Sequence, residues 1–212
     1  MILRNDCSII LNFLVYVSNV YKNYYEYSDE PKVFPFLYLE KNTLLSMDVF
    51  IDEISKHWGN YIHSLHDRIV DNEVLTMDIN FINKPNSFNY QTLFKNNIEG
   101  KETFDQILKS FKAWWFSPYN GYRIGDQLSG DVIPMVWEGI KNKLLTKYST
   151  LPNYNFVLFA IYDNVPFSLQ SKGSNFIIEP LSNLDLKYKD ESEQSKSIGC
   201  LVDKFTQKLF SE

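Results

Sequence analysis

The stretch "NFVLFAIYD", Asn155 to Asp163, is an unbroken apolar run between polar ends. It is too short for a typical helix and shows no alternation, the pattern of a strand covered on both faces, so it reads as the central strand of a sheet. "NFIIEPL", Asn175 to Leu181, reads as its neighbour. Further upstream, "VLTMDINFI" alternates through Leu75, Met77, Asp78, Ile79, Asn80 and Phe81, as a half-buried strand does. The turn residues "NKPNS" follow, and "FNYQTLF" then completes a hairpin. Pro31 and Pro35 forbid helix and allow an extended edge segment at Phe36 to Leu39.

Helices occupy the rest. From Ser8, polar residues at Ser8, Asn12, Asn19, Asn23 and Glu26 fall near multiples of the helical repeat in an apolar background, which describes a helix buried around most of its circumference, with the β-branched content leaving a strand as the alternative. Met47, Phe50, Ile51, Ile54, Trp58, Ile62, Leu65 and Ile69 recur at threes and fours, with Gly59 marking a close contact or a bend. Phe104, Ile107, Leu108, Phe111 and Trp115 form another stripe. A further helix starts at Asp131, as its cap, with Pro134 in the first turn where a missing amide hydrogen costs nothing. The elements together predict an α+β fold: a single domain with a mixed or antiparallel sheet of about four to five strands packed with about five helices. The domain spans residues 1–181. The polar stretch 182–197 reads as a linker or mobile loop, and 198–212 as an amphipathic helix packing on the domain or on a partner.

Composition narrows the function classes. A net charge of −5 with only three arginines, Arg4, Arg68 and Arg123, argues against nucleic-acid binding, which draws affinity from cations on phosphate. Modest negative charge keeps a domain soluble, and it also suits a basic protein partner. Cys7 and Cys200 make neither a disulfide framework nor a metal motif and fit a cytoplasmic setting. "CSIILNFLVYVSNV" is broken by Asn12, Ser18 and Asn19 and reads as a buried segment, with no membrane span or signal peptide expected.

The histidines His57, His63 and His66 share one helix but match no metal motif and have no companion ligands elsewhere in the chain, so no metal or cofactor is assigned. Neither a GxSxG nor a cysteine near a histidine supplies a nucleophile, and no catalytic residue is assigned. "WWFSPYNGYRIGDQLSGD", Trp114 to Asp131, is the densest constellation. It reads as a glycine-bearing connection between two helices, and Asp126, Asp131 and Glu138 could also group as carboxylates. Trp114 and Trp115, adjacent on a helix, point about 100° apart, so one of them lies toward the periphery. The chain carries 16 Phe, 14 Tyr and 4 Trp, a surplus that fills the interior first and the surface second. The expected contact residues are Trp114, Tyr119, Tyr122, Arg123, Asp126 and Asp131. They suit a non-enzymatic protein-binding inhibitor, in one version an immunity-type protein that occludes the active site of a basic toxin. The alternative is a hydrolase or transferase acting on a small or phosphorylated substrate in a carboxylate and arginine cleft over residues 119–138.

Overall fold

A computed structural model describes residues 1–25, 31–40, 43–71, 74–85, 89–151, 154–164 and 175–210. Among them are seven α-helices and three strands, in the order β1 (Ile2–Asp6), α1 (Ile9–Tyr25), α2 (Met47–Asp71), α3 (Val74–Asn83), α4 (Ile98–Trp115), α5 (Tyr122–Leu145), β2 (Asn155–Ile161), β3 (Phe176–Pro180), α6 (Leu181–Leu184) and α7 (Glu191–Phe210). A short 3-10 turn, Tyr90–Leu93, precedes α4.

The sheet is three-stranded and parallel in the order β1-β2-β3. This corrects the expected mixed or antiparallel sheet of four to five strands, although the chain remains α+β. The difference arises mainly at residues 74–93, where the expected hairpin is helix α3 followed by the 3-10 turn. Val74, Met77 and Phe81 also recur at helical spacing, so the period-two pattern was shared by a helical one. The tertiary fit decides between them: Asp78 and Phe81 are both buried, the first against the start of α1 and the second on Phe13. Residues 36–39, expected as an edge strand, belong to none of the described helices or strands.

β2 is the centre of the sheet, and every residue from Phe156 to Ile161 is buried. Helices α1, α2 and α5 pack on it, and Phe205 of α7 sets its ring edge against Phe156. β3 ends in Pro180, whose missing amide hydrogen falls at the free edge. In α1, every residue from Ile10 to Tyr21 is buried. Around it the aromatic surplus is spent: Phe13 meets Phe81, Tyr90, Phe104 and Phe111, and Tyr21 stacks on Phe50 at 3.6 Å. Residues 182–197, read as a polar linker, hold most of α6, a turn and the first two turns of α7. α7 then packs on α5 and β3. No described helix is long and apolar enough to cross a membrane.

Candidate functional site

The Trp114–Asp131 constellation sits at the corner where α4 hands over to α5. Trp115 points inward, 2% exposed and stacked on Phe111. Gly121 then turns the chain with φ of +52°, where a Cβ would lie 2.5 Å from the Trp115 Cα and 2.6 Å from its carbonyl oxygen. Only glycine meets both demands, a positive φ and backbone contact. The turn is therefore fixed against the end of α4.

From Tyr122 the chain is already helical, which corrects the expected loop and the helix start at Asp131. Gly121 keeps its turn, whereas Gly125, read as a loop residue, serves packing instead. A Cβ on Gly125 would stand 2.8 Å from the Cys7 Sγ, so this position lets α5 lie directly on the end of β1. Ser129, fully buried, donates to the Gly125 carbonyl at 2.6 Å and accepts from the Asn5 Nδ2 at 2.9 Å. Asn5 also donates to the Asp126 carboxylate at 3.3 Å. One side of the first turns of α5 is thereby bolted to β1.

The other side faces solvent. Tyr119 is 84% exposed, Phe116 54% and Tyr122 42%, with Ile124 also exposed among them. Arg123 and Asp126 are exposed on the same turns. Burial and then the Asp126 carboxylate raise the Tyr122 phenol above its ordinary value. Beneath the corner, burial raises the Asp6 carboxyl, and burial followed by the Asp6 and Asp126 charges pushes the Cys7 thiol up to about 12. Cys7 is thus an inert packing group.

The remaining expected contact residues lie elsewhere. Trp114 is half-buried, its ring 4.8 Å from Tyr162, 5.1 Å from Phe34 and 5.8 Å from Tyr16, so it supports the corner from below. Asp131 is exposed on α5 five residues after Asp126, about 140° further around the helix, beside Leu184 and Lys187. Glu138 pairs with Lys141 at 3.5 Å. The carboxylates Asp126, Asp131 and Glu138 therefore do not converge. His57 bonds Thr92 at 2.7 Å and packs on Tyr90, with burial lowering its pKa, while His63 is exposed; the side chain of His66 lies outside the described residues. Among the described residues, no group of three or more His, Cys, Asp or Glu could hold a metal ion.

No protein-family model, curated protein or solved structure matches this chain.

Sequence reasoning passed over Phe36 and Tyr38, 70% and 87% exposed. Their segment is held along α1 by Asn23, which bonds Val33 and Pro35, and along α4 by Gln106, which donates to the Tyr38 carbonyl. The signal was the proline-bounded extended run, whose aromatics have no strand partner to cover them. Phe116 and Ile124 were likewise legible as aromatic and aliphatic neighbours of the tyrosines, but their exposure follows from the turn at Gly121.

Proposed function

We propose that this chain is a protein-binding module that docks a partner through the α4–α5 corner. The observation that carries this reading is the exposure of Phe116, Tyr119 and Tyr122 on a turn that Gly121 and Gly125 hold rigidly. Aromatic side chains displayed on fixed backbone bind with little ordering cost and are enriched among interface hot spots. Arg123 and Asp126 supply charges beside them, and with a net charge of −5 the chain suits a basic partner. In its most specific form the module is a cytoplasmic inhibitor of the immunity type, covering the active site of a basic toxin. The unpaired Cys7 and Cys200 agree with a reducing compartment. The hydrolase or transferase alternative asks Arg123, Asp126, Asp131 and Glu138 to share a cleft, and Asp126 and Asp131 point apart.

Affinity capture from the native host tests the proposal. Wild-type protein should retain one stoichiometric basic partner, and Tyr119→Ala with Tyr122→Ala should weaken it at least about 30-fold, the loss of one hot spot of about 2 kcal/mol. Tyr188→Ala, at a residue 91% exposed on the turn before α7, should leave binding intact. A partner that survives the double substitution, or a wild-type chain that stays solitary, refutes it.

A further inference from the structure

The other edge of the sheet carries a different chemistry. A pocket of about 220 Å³ opens between the carboxyl end of β3, α6 and α7. Its wall on α7 is Lys196, Cys200 and Lys204, spaced by four and so on one helix face, and Lys189 enters from the turn before the helix. At the pocket floor is Glu179, 3% exposed on β3. Its carboxylate accepts a hydrogen bond from Lys204 and another from Asn183 Nδ2 at 2.8 Å.

Burying a carboxylate costs several kcal/mol before its partners repay it, and an apolar residue could fill the same space. What Glu179 does instead is fix the Lys204 ammonium at the pocket. Lys189 is held as well, its Nζ 3.1 Å from Ser197 Oγ and 3.3 Å from the Asn183 carbonyl. Three lysines thus line a pocket that holds one carboxylate, in a chain whose net charge is −5. Lysine binds phosphate as a point charge, and ammoniums already held in place lose little freedom in doing so. The pocket also lies at the carboxyl end of β3. Its volume falls below the usual range for drug-sized molecules, about 300 Å³ and upward, and matches a phosphoryl or pyrophosphoryl group.

We infer that the β3–α7 pocket binds the phosphate of a small soluble molecule, held by Lys189, Lys196 and Lys204. This site is separate from the α4–α5 corner and does not depend on the partner proposed there.

Cys200 provides the reporter, because it is exposed at the pocket wall while Cys7 is buried. The rate of its reaction with dithiobis(nitrobenzoate), which is anionic, is compared with that of dithiodipyridine, which is neutral. The anionic reagent should be favoured several-fold at low salt, and pyrophosphate should slow both reagents saturably, beyond the effect of sodium chloride at equal ionic strength. Lys196→Gln, and separately Lys189→Gln, should reduce both effects, with unchanged circular dichroism and melting showing that the fold is kept. Protection by pyrophosphate no greater than by chloride, or protection untouched in both variants, overturns the inference. So does protection by phosphatidylglycerol vesicles without protection by pyrophosphate, which would assign the lysines to a lipid surface.

Discussion

Asn12 stands where β1 has run out. β1 pairs with β2 as far as Asp6 opposite Phe159, and beyond it the Ala160 carbonyl and the Tyr162 amide on that side of β2 have no strand to meet. The Asn12 carboxamide takes both: Nδ2 donates to the Ala160 carbonyl at 3.0 Å, and Oδ1 accepts from the Tyr162 amide at 2.9 Å. The side chain, 1% exposed, acts as one more peptide unit of β1 contributed by a helix. Asn12→Leu would fill similar space and leave both backbone groups buried and unpaired, at about 1–3 kcal/mol each. The variant should lose about 2–6 kcal/mol by urea denaturation; a loss below about 0.5 kcal/mol, the range of an ordinary surface change, would contradict this account. In the sequence, Asn12 is visible only as a polar break in an apolar run. Its role was hidden because its partner lies 148 residues away.

At the scale of elements, legibility followed how local the deciding interactions are. The stripe on α4 and the apolar run of β2 declare themselves because burial repeats along each of them. β1 did not, since "ILRND" is short and only partly buried, and it is a strand only by pairing with residues 155–159. The first turns of α5 read as a loop because Gly121, Gly125 and Gly130 each locally say stop, so the expected helix began only at Asp131. Gly125 is required by Cys7, and Gly139 lies so close to α7 that a Cβ would be 2.5 Å from a Val202 methyl; the helix keeps them for packing. Pro134 is different. It lies inside the helix, exposed, and has no amide hydrogen for the Gly130 carbonyl. Pro134→Ala restores that bond on a backbone already helical and should stabilise the protein by about 1–3 kcal/mol, read as a raised melting temperature. A lower melting temperature would mean that the ring packs on something α5 needs. The contact surface was legible in the same uneven way. Tyr119, Tyr122 and Arg123 follow from a turn composition, whereas the withdrawal of Trp114 beneath Phe34 and Tyr162 depends on segments far away in sequence.

For the molecule as a whole, β1, α1, α3 and α5 meet around buried acid groups, and this junction couples folding to pH. Asp78 of α3 reaches the start of α1, accepting from the Ile9 amide at 2.9 Å, the Ile10 amide at 3.3 Å and the Ser8 hydroxyl at 3.2 Å, while Ser8 bonds the buried Tyr61 at 2.6 Å. Those donors favour the carboxylate, but burial outweighs them and pushes the Asp78 carboxyl up to about 7 from 3.8. A carboxyl with a raised folded-state pKa holds its proton more tightly in the folded chain. Its contribution to stability is therefore fully present below about pH 4 and is lost as pH rises through about 7. Asp6, raised mainly by burial, acts in the same sense. His57 acts oppositely: burial lowers its pKa, so its contribution is present above 6.5 and declines as pH falls. Asp78 is the more deeply enclosed of the two, and one pKa unit corresponds to about 1.4 kcal/mol, so the carboxyl should dominate. Urea midpoints should fall between pH 5 and pH 8 in the wild-type protein. In Asp78→Asn, which keeps an acceptor for the α1 amides and cannot ionise, that fall should shrink markedly. Equal slopes in the two proteins would show that the junction takes its carboxylate without penalty, and that the three hydrogen bonds to α1 repay burial in full.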